Sequence, residues 1–198
     1  MIGIVDTRAG NLTSVRAALD RLGLAHTTLL AAPEASGVDR LLVPGQGRFG
    51  AVMETLDARG WRDALVAWHG ENRPMLGICV GQQILFDGSD EDPDARGLGI
   101  LPGRVRRLDF PKAPMVGWAP VAWQGTSPEA SGESEVADGD AYFVNSFAAR
   151  ESDAAIARTT YGETFVSAVR SGNTVAVQFH PEKSGAWGQA LLATFLAR

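Results

Sequence analysis

Cysteine is almost missing from this 198-residue chain: Cys79 is the only one. An internal disulfide is therefore impossible, and a four-cysteine zinc site is excluded. Histidine is scarce too, with His26, His69 and His180 widely separated, which leaves little material for a metal cage. No apolar run approaches the roughly 20 residues of a membrane span. The opening Met1–Asp6 lacks the basic n-region and small-residue cleavage site of a secretory signal, so a cytoplasmic protein without a membrane partner is expected. With 23 acidic against 18 basic residues the formal charge is −5, which argues against nucleic acid as a partner. What is present is ordinary globular composition, 45% hydrophobic and 21% charged, at a length that suits one domain over 1–198.

The N-terminal half alternates strand-like and helix-like segments. Met1–Asp6 reads as a strand, and Asn11 can cap a helix in which Leu12, Val15, Leu19 and Leu22 recur at helical spacing before Gly23. Strands are expected at His26–Leu30, at Arg40–Val43 before the breaker Pro44-Gly45, and at Pro74–Ile78. Helices are expected at about 50–59, 61–70 and Val80–Phe86. The second half carries strand candidates at Ile100–Leu108, Val121–Trp123, Ala141–Val144, Phe165–Arg170 and Val175–Phe179, then a helix over Gly185–Leu196. Residues 124–140, rich in Gly, Ser, Glu and Asp, read as an exposed loop. The implied class is α/β: a mostly parallel central sheet flanked by helices, with antiparallel additions in the C-terminal half and ligands at the carboxyl ends of strands.

Two motifs carry chemistry. Gly45-Gln-Gly-Arg-Phe-Gly50 matches G-x-G-x-x-G, a dinucleotide pattern, but it follows the third strand rather than the first and Pro44 precedes it. The dinucleotide match is therefore weak; a tight turn is the plain alternative, and a place where backbone N–H groups approach a reacting carbonyl is the better one. Gly77-Ile-Cys79-Val-Gly81, between a buried strand and a helix, has the form of a nucleophile elbow. The sharp turn leaves no room for Cβ atoms two residues before and after, and it lifts the sulfur to the sheet's carboxyl edge at a helix start, which favours the thiolate. A thiolate that attacks an amide needs a proton carrier for the leaving amine. His180 ends an apolar strand where Pro181 stops the ladder, and Glu182 lies close enough to orient it. His26 and His69 are expected to face solvent.

With these residues in view, G-I-C-V-G-Q-Q around Cys79, P-G-Q-G-R-F at Pro44 and Q-F-H-P-E-K-S-G at Gln178 resemble the class I, triad-type glutamine amidotransferases. Gly10-Asn11, Pro114-Met-Val-Gly-Trp118 and Tyr142-Phe-Val-Asn-Ser146 narrow the resemblance to the glutaminase subunits of imidazole glycerol phosphate synthase. The resemblance implies a Cys79, His180, Glu182 triad that hydrolyses glutamine through a thioester, with no cofactor. The N–H of Val80 and one from the loop around Gln46 and Gly47 would form the oxyanion hole. Gln83 and Glu91, with backbone around Ser146 and Phe147, would hold the substrate head group. It further implies a heterodimer with a (β/α)₈-barrel cyclase that uses the ammonia to make imidazole glycerol phosphate and aminoimidazole carboxamide ribotide. Asn11, Trp118, Tyr142 and Lys183 match positions near that interface. Departures from the usual pattern fall at Gln46, Gln82, Met115, Val116, Asn145 and Phe147. A glutaminase subunit of anthranilate or aminodeoxychorismate synthase is the nearest alternative, though those tend to carry G-x-C-L-G-H-Q and H-P-E-S. A non-catalytic subunit of the same fold is another.

Overall fold

The computed structural model describes residues 1–8, 12–109, 112–124 and 137–196. Asn11 and most of the 124–140 stretch lie outside the described residues.

Strands β1 (Ile2–Val5), β3 (Arg40–Gly45) and β4 (Met75–Cys79) are apolar almost throughout and buried almost throughout. That is the signature of parallel strands covered on both faces. Together with β2 (His26–Leu29) and β12 (Thr174–Val177) they form the parallel half of a nine-stranded sheet, in the order β2-β1-β3-β4-β12. The sheet continues antiparallel through β11 (Glu163–Ser171), β10 (Ala155–Tyr161), β7 (Met115–Trp123) and β8 (Gly139–Asn145). In β7 and β8 buried and open positions alternate, as expected where one face stays uncovered. A small second sheet joins β5 (Gly88–Ser89), β6 (Arg104–Arg107) and β9 (Phe147–Ala148). Helices α1 (Leu12–Arg21), α2 (Phe49–Ala58), α3 (Trp61–Gly70) and α5 (Gly185–Leu196) flank the sheet. The core runs through Ile4, Leu19, Leu42, Phe49, Phe143, Phe165 and Phe179, all fully buried.

The α/β class, the parallel half and the antiparallel addition agree with the sequence reading; several details do not. The helix expected over Val80–Phe86 is a single turn, α4 (Val80–Gln83). It stops because the carbonyls of Ile84 and Leu85 accept from Leu98 (2.7 Å) and Leu101 (2.9 Å), a nonlocal contact that leaves them no helical partner. The expected strand Ile100–Leu108 shrinks to β6, whereas β7 begins at Met115 instead of Val121. Strand β10 had no counterpart in the pattern. Pro44 and Gly45 extend β3 rather than ending it, pairing with Ile78 and Cys79 of β4.

Candidate active site

Strands β4 and β12 are parallel neighbours, with Ile78 opposite Val177, so both deliver chain to the same edge of the sheet. Cys79 closes β4 with φ 57 and ψ −111, a conformation that side-chain-bearing residues seldom adopt. The flanking glycines are there for space. A Cβ on Gly77 would lie 2.5 Å from the Gly81 carbonyl oxygen, and one on Gly81 would run onto the carbonyl of Val43. A Cβ on Gly45 would lie 2.8 Å from that of Val80, so the end of β3 presses on the start of α4. This contact carries the Gln46–Arg48 segment, with Gly47 at φ 101, across the sulfur's edge of the sheet.

Three residues beyond β12, His180 enters a 3₁₀ turn, Pro181–Lys183. Its Nδ1 lies 2.9 Å from Glu182 Oε1, and both side chains are buried. Hydrogen bonds lock the turn to β8: His180 N–H donates to the Tyr142 carbonyl (2.8 Å), and Tyr142 N–H donates to the side-chain Oγ of Ser184 (3.0 Å). The Ser184 hydroxyl in turn donates to the His180 carbonyl (2.7 Å). With Nδ1 engaged, Nε2 is the nitrogen left for the sulfur; it is buried and makes no bond of full hydrogen-bond geometry. Burial pushes the imidazole pKa down, but hydrogen bonding to Cys79 and Glu182 and the charge on both outweigh it and raise it to about 9. The Cys79 sulfur and the imidazole are thus close enough to interact without full hydrogen-bond alignment, a contact of the kind that often tightens only when substrate is bound.

These groups open into one cavity of about 440 Å³, a ligand-sized volume. Gln46, Gly47, Cys79, Val80, Gln83, Glu91, Ser146, Phe147, His180 and Lys183 all line it, bringing together expected residues from across the chain. Gln83 is buried: its Nε2 donates to the Phe147 carbonyl and to Gln178 Oε1, both at 2.9 Å. Glu91 accepts from Phe49 N–H (2.8 Å) and Asp92 from Gly50 N–H (2.9 Å), so this acidic segment caps α2. His26 and His69 are half-buried rather than solvent-facing; His69 Nδ1 sits 2.9 Å from Thr174 Oγ1, and neither lines the cavity. A larger depression of about 730 Å³ lies at the opposite edge, where β3, β4 and β12 begin, without nucleophile or histidine. Among the described residues no group of three His, Cys, Asp or Glu could hold a metal.

Trp118, Tyr142 and Lys183 meet near the cavity mouth. The Trp118 and Tyr142 rings are edge-on at 6.0 Å, and Lys183 Nζ lies 6.0 Å from the Tyr142 ring centre. Val116 and Val144 pair across β7 and β8 one step away, and Val116, Trp118 and Val144 are exposed. Val144 and Gln178, which donates to the Cys79 sulfur (3.7 Å), were given no role from sequence, and Val116 was noted only as a departure from the usual pattern. A signal existed for each: Gln178 is two positions before His180, and Val116 and Val144 alternate with Trp118 and Tyr142 along their strands. Among the described residues no helix is long and apolar enough to cross a membrane.

Known proteins align with this arrangement along the whole chain. The profile of the family described as glutamine amidotransferase class-I matches residues 5–198. Imidazole glycerol phosphate synthase subunit HisH of Deinococcus radiodurans is 41% identical, with 97% of this chain and 91% of that protein covered. The HisH subunit of Shouchella clausii is 38% identical, covering 98% and 97%. The Arabidopsis thaliana imidazole glycerol phosphate synthase hisHF, chloroplastic, is 39% identical over 99% of this chain, but the chain spans only 34% of that protein's length. Among solved structures, a glutamine amidotransferase superposes with a TM-score of 0.78 at 22% identity, covering 99% of this chain and 97% of that one. On the match of sequence profile and of near-full-length relatives, this chain belongs to the class I glutamine amidotransferases, within the HisH family of imidazole glycerol phosphate synthase subunits.

Proposed function

We propose that this chain hydrolyses glutamine to glutamate and ammonia in histidine biosynthesis, in the cytoplasm, and passes the ammonia to a (β/α)₈-barrel cyclase bound over the cavity. The observation that carries the reading is the meeting of Cys79 and the buried His180–Glu182 pair in one ligand-sized cavity at a strand edge. The Cys79 thiolate attacks the side-chain carbonyl carbon of glutamine. The carbonyl oxygen becomes an oxyanion, held by the Val80 N–H and a backbone N–H around Gln46 and Gly47; such a donor is worth roughly 3–4 kcal/mol. His180 gives its proton to the departing nitrogen, the C–N bond breaks and ammonia leaves a γ-glutamyl thioester. Water then attacks the thioester while His180 accepts its proton, and glutamate departs as the sulfur is restored. Glu182 holds the ring by Nδ1 and stabilises its charged form. Gln83 and Glu91, together with the backbone of Ser146 and Phe147, bind the amino-acid head group.

Ammonia that escaped into water would be protonated and lose its nucleophilicity, so the cavity needs a cover. Exposed Val116, Trp118 and Val144, with the half-buried Tyr142 and Lys183 beside them, form an apolar and cationic patch at the mouth and supply the docking surface. The relatives' names as synthase subunits support a synthase partner. The decisive experiment compares glutamine- with ammonium-dependent synthesis by the complex with the cyclase. Cys79→Ala abolishes the first and spares the second; glutamine use at the parent rate refutes the reading.

A further inference from the structure

Register places more than the reacting pair at this edge. Because Val177 lies opposite Ile78, the next residue along, Gln178, falls beside Cys79. Its side chain is completely buried, and its Nε2 donates to the Cys79 sulfur at 3.7 Å. Its Oε1 accepts from Gln83 Nε2, which also donates to the Phe147 carbonyl, both at 2.9 Å. The direction of this chain is forced. A carbonyl only accepts, so Gln83 must present its NH₂ there; its second N–H then goes to Gln178, which must present oxygen. The end of Gln178 that remains for the sulfur is a donor.

The sulfur has a second neighbour of opposite preference. The Val144 carbonyl lies 3.9 Å away, within reach of a thiol hydrogen and unfavourable to a thiolate. The helix behind Cys79 is one turn long, so few aligned peptide dipoles act on the sulfur. An N–H aimed at sulfur favours the ionised form by direct contact.

We propose that Gln178 is the hydrogen-bond donor that stabilises Cys79 as the reactive thiolate, and that Gln83 is the positioning residue that keeps the Gln178 amide in its donating orientation. The inference rests on Cys79 being the nucleophile and adds a residue to that machinery. The other charged groups around the sulfur are His180, with Glu182 behind it, and Glu91, Arg48 and Lys183 on the cavity wall. None of them is altered by substitution at 178.

Because Cys79 is the only cysteine, alkylation by iodoacetamide reads this one sulfur in the full chain. The rate of alkylation is measured against pH for the parent, Gln178→Met and Gln178→Glu, with far-UV circular dichroism and an unfolding transition to verify the fold. Gln178→Met fills the space without a donor. The expected result is a midpoint about one pH unit higher and alkylation about tenfold slower below it. Gln178→Glu keeps the acceptor for Gln83, and so protects the fold, but sets a carboxylate against the sulfur; its midpoint rises further. A profile from either folded variant that overlays the parent's overturns the proposal. No substrate or turnover enters this measurement, so it separates from the Cys79→Ala test: loss of glutamine use there with unmoved profiles here leaves the nucleophile standing and removes Gln178 from its role.

Discussion

Replacing Glu182 with Gln tests the electrostatics of the site without emptying it. The amide keeps the size of the carboxylate and an oxygen for the Nδ1–H of His180, so the ring stays in place while the negative charge goes. In the parent the His180 imidazole titrates at about 9 against an ordinary 6.5. A group raised in the folded state contributes stability that is complete below its unfolded pKa and vanishes as pH climbs through its folded pKa. The window is therefore pH 6.5 to 9, and at about 1.4 kcal/mol per pH unit the full effect is about 3 kcal/mol. Glu182 shares it with Cys79, since hydrogen bonding and charge from each raise the imidazole. Removing the carboxylate should then erase about half, on the order of 1–2 kcal/mol. The assay is urea unfolding of parent and Glu182→Gln at pH 6 and pH 9.5. The parent's advantage over the variant should shrink by that amount between the two, and taking the difference cancels contributions from elsewhere in the chain. Parallel stability curves across the window would refute the assigned coupling.

Two further substitutions probe the elbow and the rim. Gly81→Ala drives a Cβ onto the Val43 carbonyl, part of a strand paired on both sides, and should cost about 1–3 kcal/mol, or a melting temperature lower by on the order of 5 °C. Gly70→Ala, whose Cβ meets nothing within 4 Å, is the control and should leave the melting temperature level or slightly raised. Trp118→Ala removes an exposed ring and should change the stability of the isolated chain by less than about 1 kcal/mol. Calorimetric titration with the cyclase should nevertheless find affinity reduced about thirtyfold, the loss of a central aromatic anchor. Unchanged affinity would move the docking surface elsewhere.

How much of this was readable before folding depends on whether the cause was local. The elbow was, because steric exclusion around Cys79 acts over two residues each way, and Gly77 and Gly81 announce it. The His180–Glu182 contact was, because proline and two-residue spacing set it. The gathering of Gln46, Gly47, Gln83, Glu91, Ser146 and Phe147 was reached through resemblance, not periodicity. The end of α4 was not legible: Ile84-Leu-Phe86 is apolar and helix-compatible, and only residues 97–101, folding back onto their carbonyls, reveal why the helix stops. Glu91 was half legible. Its cavity position was anticipated, but its hold on Phe49 N–H spans 42 residues and leaves no local trace. The same holds for the bond between Gln178 and sulfur, which exists only because two strands distant in sequence share a register.

That shared register divides the chain into parts with different freedom to change. Cys79 and His180 hang from adjacent strands that run the same way, so the intervening stretch of about 90 residues, the antiparallel arm included, spans the gap without setting it. Loops out on that arm can lengthen or shorten while sulfur and imidazole keep their separation. A slip of one residue between β4 and β12 is another matter, because it would turn Gln178 and His180 to the far face of the sheet and leave Cys79 alone at the rim.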